Sequence, residues 1–152
     1  MYGIDPGPIN QSIVYFDGNR CEAFECTRDA GPILFRDVPI ACEWIESYGM
    51  AVGASVFRTV HAIGWLNAKA PAMRLIPRRD IKLHLCGSMR AKDANIRQAL
   101  IDRFGHPGTK KKPGLIYGIK SHYWAALAVA VTAMDLERTP NEWIWNGTSE
   151  AH

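Results

Sequence analysis

The sequence predicts an α/β domain with a mixed five-stranded sheet, in which three antiparallel strands are followed by parallel strands and helices flank the sheet. Two observations lead to this prediction. Residues 1–27 contain three short apolar segments separated by turn signals, and two more short apolar segments then alternate with helical patterns. Neither a linker nor an internal repeat divides residues 1–152, which we therefore interpret as one domain.

The first three segments have the pattern of an antiparallel meander. Residues 2–4, 12–16 and 22–27 are rich in apolar side chains. Turn signals separate them, with Asp-Pro-Gly at residues 5–7 and Asp-Gly-Asn at residues 17–19. Because Asp-Gly turns suit tight hairpins, consecutive segments are expected to pair as antiparallel strands.

Two further strands are predicted downstream. Residues 38–42 form a short apolar run that ends at Glu43, and residues 73–76 form another run that Pro77 ends. The segments between them have helical periodicity, and crossover connections of this kind are right-handed. We therefore expect both strands to lie parallel to the first one.

Helical spacing or amphipathic patterning predicts the remaining elements. It occurs in four segments, at residues 50–66, 79–85, 92–104 and 121–136. Ser121 is a good N-cap residue for the last helix. The Gly-, Pro- and Lys-rich residues 105–114 are expected to form a loop that becomes ordered on a ligand.

Charge is divided unevenly along the chain. The net charge is only +3, but residues 69–120 hold thirteen of the eighteen Lys and Arg residues and three of the fifteen acidic residues. A basic segment beside acidic ones suggests that one surface holds a polyanion while carboxylates elsewhere act on it. A solvated basic face is the alternative.

Cysteine usage and hydropathy argue against several classes of protein. Cys21, Cys26, Cys42 and Cys86 form no CxxC pair, so we interpret them as reduced, buried small residues and not as zinc ligands. There is no apolar run of membrane-spanning length and no signal-peptide pattern. We expect a soluble cytoplasmic protein.

Three polar residues stand at the ends of predicted elements. Asp5 follows the first strand, Glu43 ends the fourth and His122 opens the last helix; singly, each is an ordinary turn or surface residue. If the first and fourth strands are parallel neighbours, Asp5 and Glu43 leave the sheet at one edge, where the last helix can bring His122. Carboxylates with an imidazole suit Mg²⁺ or Mn²⁺. Two such ions, about 3.5–4 Å apart, support phosphodiester hydrolysis.

Four motifs, in order, resemble those of a known family. They are Gly3-Ile4-Asp5-Pro6-Gly7, Ala41-Cys42-Glu43, the lysine-containing segment 79–87 before a Gly-Ser break, and the Ala-rich segment 122–132. Over about residues 1–135 this order resembles the RuvC-type Holliday junction resolvases. The resemblance implies a ribonuclease H-like fold and an endodeoxyribonuclease that makes paired, metal-dependent nicks in branched DNA.

The resemblance also implies roles for individual residues. Asp5 and Glu43 would bind metal, and His122 would be a third ligand or orient water. Lys82 and Lys92 match lysines that the family places against the scissile-strand phosphates, where a cation offsets developing charge. Other basic residues would hold the DNA backbone without reading its sequence, namely Arg78, Arg79, Arg90, Lys110, Lys111 and Lys112.

Position 125 departs from the family pattern. The family has an aspartate three residues after the position of His122, where this chain has Ala125. Positions 122 and 125 share one helix face, so the missing carboxylate belongs to the same site. Asp135 is about 15 Å further along the helix and does not replace it. We hypothesise that Ala125 is an engineered inactivating change; a natural, non-cleaving junction-binding protein is the alternative.

The two-fold symmetry of a four-way junction predicts a homodimer. Phe57 and His61 are candidates for the dimer interface, and Tyr48 and Met50 for contacts at the junction centre. A flap, replication-fork or RNA–DNA hybrid nuclease of the same fold remains an alternative. The divergence of the motifs suggests a phage or mobile-element source.

Overall fold

The computed structural model describes residues 1–27, 38–47 and 49–138. The main strands are β1 (Tyr2–Pro6), β2 (Asn10–Phe16), β3 (Cys21–Thr27), β4 (Ile40–Trp44) and β5 (Arg74–Pro77). The helices are α1 (Ala54–Lys69), α2 (Arg78–Cys86), α3 (Asp93–Phe104) and α4 (Tyr123–Arg138). Two short strands, β6 (Gly108–Thr109) and β7 (Lys112–Pro113), form a separate hairpin.

The five main strands form one mixed sheet in the order β3-β2-β1-β4-β5. β1 pairs antiparallel with β2, and β2 with β3, while β4 is parallel to both β1 and β5. The predicted α/β architecture is therefore confirmed. Because β1 and β4 are parallel neighbours, their carboxyl ends lie at the same edge of the sheet.

Alternating side chains give the sheet two buried faces. On one face, Ile4, Ile13 and Cys42 pack with Ile63 and Leu66 of α1. On the other face, a larger core joins the sheet to the other three helices through residues that include Val14, Ala41, Ile96 and Leu127. Gly3 lies against Ala126 and Ala130, so α4 crosses β1 at very short range.

Several predicted boundaries are corrected by the structure. β1 continues through Asp5 and Pro6, which pair with Ser12 and Gln11, so the turn begins at Gly7, two residues later than predicted. Ser121 does not cap α4, because it has a φ of 47° and the helix begins at Tyr123. The His122 carbonyl accepts the amide hydrogen bonds of Ala125 and Ala126 in its place.

The predicted loop at residues 105–114 contains the β6–β7 hairpin. Its strands have two residues each, too few to show any periodicity in the sequence. Gly108 has a φ of 78°, and a Cβ there would lie 2.4 Å from the Lys112 carbonyl oxygen. Glycine is thus required for the hairpin to close.

The structure agrees with the expectation of reduced cysteines, but only two of the four are buried. All four cysteines are free thiols; Cys26 and Cys42 are buried, whereas Cys21 and Cys86 are partly exposed. Desolvation raises the pKa of the Cys21 thiol to about 11, with a smaller contribution from the charge of Glu22. In the part of the chain that the structure describes, no helix has the length and apolar character needed to span a membrane.

Thr132 provides a test of the packing of α4. Its hydroxyl is fully buried and has no hydrogen-bond partner among the described residues. Since a buried unpaired hydroxyl carries a desolvation cost, we expect Thr132→Val to raise the free energy of unfolding by about 1 kcal/mol in urea denaturation. Thr59→Val is the matched control, because the Thr59 hydroxyl donates to the Ser55 carbonyl at 2.9 Å. Equal effects of the two substitutions would contradict this explanation.

Candidate active site

Asp5 and Glu43 reach the same edge and the same face of the sheet. Ile4 pairs with Cys42 in the parallel β1–β4 register, and the two acids are the next residues along their strands. Strand side chains alternate between faces, so both acids point to the face opposite Ile4 and Cys42. That is the face covered by α4. The acids follow buried apolar residues, and their own side chains are 18% and 9% exposed.

A buried glutamine braces the turn after Asp5. The Gly7 amide donates to Gln11 Oε1, and Gln11 Nε2 donates to the Gly7 carbonyl, each at 3.1 Å. Gln11 is fully buried, so this pair of bonds fixes the chain where it leaves β1. Sequence reasoning missed Gln11, because a polar residue at the start of a strand gives no signal of such a partner.

His122 lies beside Asp5. His122 Nδ1 donates to Asp5 Oδ2 at 3.1 Å, and the imidazole is 78% exposed. This contact follows from the close crossing of α4 over Gly3, which places the first turn of the helix at the end of β1. The structure therefore brings two of the three predicted site residues into direct contact.

Glu43 forms an ion pair with Arg78, a residue predicted from the sequence to bind DNA. Arg78 Nη1 donates to Glu43 Oε2 at 2.6 Å, and Arg78 Nη2 donates to Asp93 Oδ1 at 2.5 Å. Arg78 follows β5 directly, and Ile76 of β5 pairs with Glu43, so the guanidinium starts from the same edge of the sheet. Asp93 was not predicted as part of the site. The position of Arg78 could have been predicted, since it is a basic residue directly after the end of a predicted parallel strand.

Burial dominates the electrostatics of the two acids. Desolvation raises the pKa of Asp5, opposed mainly by His122, and raises the pKa of Glu43, opposed mainly by Arg78. A carboxyl group with a raised folded-state pKa lowers stability once it ionises. The free energy of unfolding thus falls as pH rises from the ordinary values of 3.8 and 4.5 through the higher folded-state values. The ionised forms of Asp5 and Glu43 therefore destabilise the folded state, and perturbed pKa values of this kind are typical of functional sites.

The donor set can be compared with the needs of a divalent ion. Over residues 1–27, 38–47 and 49–138, no three His, Cys, Asp or Glu side chains are arranged as a metal-binding group. Asp5 and Glu43 nevertheless each keep one carboxylate oxygen, Oδ1 and Oε1, that accepts no hydrogen bond from the described residues. Two such oxygens beside an imidazole fit the preferences of Mg²⁺ and Mn²⁺.

The chain is similar to known proteins in structure. No protein-family model matches the chain, and no curated protein matches it in sequence. A structure of Thermus thermophilus RuvC is similar, with a TM-score of 0.58 and 21% identity over 91% of this chain and 96% of that one. T. thermophilus RuvC in complex with a Holliday junction substrate has a TM-score of 0.63 and 17% identity over 90% and 93% of the two chains.

The chain has a RuvC-like fold. The expected ribonuclease H-like architecture agrees with this likeness, which extends over nine tenths of the chain. The four motifs of the sequence fall on β1, β4, α2 and the start of α4.

Ala125 lies in the first turn of α4 of this RuvC-like fold, and its side chain is partly exposed. It follows His122 by three residues, so both lie on one helix face towards the end of β1. Asp135 lies near the other end of the helix, where it accepts hydrogen bonds from Arg103 at 2.5 and 2.7 Å and contacts His84 at 2.8 Å. Asp135 therefore lies away from Ala125 and is paired with other residues.

The predicted DNA-binding residues fall on α2, on the α2–α3 connection and on the hairpin. Lys82 follows Arg78 by one helical turn and is half-buried, whereas Lys92 caps α3 immediately before Asp93 and is exposed. Arg79 pairs with Asp80 at 3.3 Å and Glu46 at 3.6 Å. The remaining predicted residues are exposed, namely Arg90, Lys110, Lys111 and Lys112.

Proposed function

We propose that the chain is a junction-resolving endodeoxyribonuclease, or a close derivative of one that binds four-way DNA junctions. One observation carries the proposal: Asp5 and Glu43 meet at the ends of adjacent parallel strands, with His122 hydrogen-bonded to Asp5. The RuvC-like fold supports it, because one similar structure is RuvC in complex with a Holliday junction substrate. The exposed lysines and arginines supply the charge that a phosphate backbone requires.

Mg²⁺, with Mn²⁺ as a substitute, is the proposed cofactor. Asp5 and Glu43 would hold it, with His122 as a third ligand or a group that orients water, and it would supply activation of water and stabilisation of charge on the leaving oxygen. Lys82 and Lys92 would lie against the scissile-strand phosphates, where their charge offsets the developing negative charge. The two-ion arrangement is proposed for a site with a carboxylate at position 125.

Binding without cleavage tests the substrate class. Four-way junction, flap, duplex and RNA–DNA hybrid of equal length would be compared in gel-shift titrations with EDTA at one fixed ionic strength. We expect the junction to bind at least about tenfold more tightly than the duplex. Equal affinity for junction and duplex would contradict the proposal. A preference for flap or hybrid would support the alternative that this protein acts on that substrate.

The β6–β7 hairpin is proposed to hold one DNA arm. Lys110 and Lys111 form its turn and Lys112 begins its second strand, and all three are exposed. Replacing the three by Gln should weaken junction and duplex binding alike and reduce the slope of log K against log salt by up to about 2.7, because each phosphate contact contributes roughly 0.9. Lys69→Gln at the end of α1 is the control and should leave the slope unchanged. An unaltered slope in the triple variant would exclude the hairpin from the interface.

A homodimer is part of the proposal, because paired nicks need two sites related by a two-fold axis. On α1 the predicted interface residue Phe57 is 64% exposed, with Val60 beside it at 37%, and exposed apolar residues of this size suit an interface. Light scattering of the chain with and without junction should give the mass of two chains. A complex with only one chain per junction would contradict the dimer.

A non-cleaving junction-binding protein is the second candidate, and Ala125 is the observation that favours it. Tight junction binding combined with no nicking, even after a carboxylate is restored at position 125, would support this candidate over the nuclease. The proposed place of action is the cytoplasm, or that of the host for a phage-encoded protein.

A further inference from the structure

The site contains a permanent cation in direct contact with a predicted metal ligand. Arg78 bridges Glu43 and Asp93 through separate guanidinium nitrogens, at 2.6 and 2.5 Å. Its side chain is 31% exposed, and that of Glu43 only 9%. Arginine stays charged at all relevant pH values, so this charge cannot be removed by titration.

The charges of the site can be counted from the groups that affect one another. Besides burial, which is the main cause of their raised pKa values, Asp5 and Glu43 are both influenced by the charges of Arg78 and Asp93. Three carboxylates and one guanidinium, leaving His122 out of the count as a proposed ligand, leave two negative charges. One divalent ion neutralises this set, whereas two would leave it with two uncompensated positive charges in a half-buried setting, where like charges repel strongly.

Ala125 and Arg78 change the site in the same direction. The alanine removes a negative charge from the α4 side, and the arginine adds a positive charge on the β4–β5 side. Only one oxygen of Asp5 and one of Glu43 remain without hydrogen bonds from the described residues, which is a donor set for one ion. Resting on the proposed nuclease function, we infer that Arg78 supplies the charge of a second metal ion, so that the site takes up a single divalent ion.

A purely structural role for Arg78 predicts something different. The guanidinium also ties the start of α2 and the start of α3 to β4, through Glu43 and Asp93. Lysine keeps the charge but cannot make this planar, two-pronged bridge, and glutamine removes the charge. If only the tie matters, both substitutions have the same effect on metal binding; if the charge matters, they differ.

The test measures Mn²⁺ binding to the full chain by calorimetry and by electron paramagnetic resonance, without DNA. We expect one Mn²⁺ per chain, at least about tenfold tighter binding in Arg78→Gln, and an affinity within about threefold of the parent in Arg78→Lys. Arg79→Gln is the matched control, since Arg79 adjoins Arg78 and pairs with Glu46 and Asp80, and it should not change the affinity. Circular dichroism melts confirm that each variant is folded.

Two Mn²⁺ ions per parent chain would overturn the inference. So would equal Mn²⁺ affinities in Arg78→Gln and Arg78→Lys, or no detectable Mn²⁺ binding in any folded variant. The proposed function is tested separately, because junction binding in EDTA does not depend on metal. A chain that prefers junctions but takes up two ions would disprove this inference alone, and a chain without junction preference would disprove the proposed function.

Discussion

Ala125→Asp should give the chain Mg²⁺-dependent nicking of a synthetic four-way junction at a rate at least about 100-fold above the parent. Position 125 lies in the first turn of α4, partly exposed and on the same helix face as His122, which contacts Asp5. A carboxylate there would add a metal ligand at the acidic edge of the sheet. It would also offset the positive charge of Arg78.

Ala125→Asn is the matched control, because asparagine has the size of aspartate without its charge. It should leave nicking at the parent level and should not change junction affinity measured in EDTA. Glu43→Gln in the Ala125→Asp background should abolish the gained activity, since Glu43 is a proposed ligand. If folded Ala125→Asp binds junctions but does not nick them in Mg²⁺ or Mn²⁺, the active-site assignment is wrong and the non-cleaving alternative is favoured.

The sequence was sufficient for the parts of the site that strand periodicity determines. Asp5 and Glu43 follow apolar residues of two strands, and the right-handed crossover rule predicted that those strands are parallel. Their adjacency was only a condition of the prediction, and the observed sheet order supplies it. Once the sheet order is known, the edge and face of both acids follow without further information. The position of His122 could also be predicted, because the helix that begins after it is long and strongly apolar.

The sequence was insufficient where contacts depend on side-chain geometry across long separations. The Glu43–Arg78 and Arg78–Asp93 bonds join residues 35 and 15 positions apart, and no periodic pattern encodes them. The bonds between Gln11 and Gly7 are local, but nothing in the residue types indicates them. Tyr48, proposed for the junction centre, lies outside the described residues, whereas Met50 is 73% exposed.

Gly3→Ala should destabilise the fold more than any other substitution considered. A Cβ at position 3 would lie 2.0 Å from the Ala126 carbonyl oxygen, 2.7 Å from the Ala130 amide nitrogen and 2.8 Å from the Ala130 Cβ. These atoms are backbone or methyl groups of α4, so no flexible side chain can move aside. We expect the free energy of unfolding to fall by about 3 kcal/mol or more in urea denaturation.

Gly64→Ala is the matched control, because Gly64 lies within α1 and a Cβ there would meet nothing within 4 Å. It should raise stability by up to about 1 kcal/mol, since alanine favours helix.

The Gly3 substitution also tests how the site is built. If α4 moves away from β1 to admit the methyl group, His122 and position 125 move away from Asp5 with it. In the Ala125→Asp background, Gly3→Ala should therefore reduce nicking even at temperatures where the protein remains folded. Retained stability and retained nicking would mean that the close crossing of α4 over β1 does not position the site.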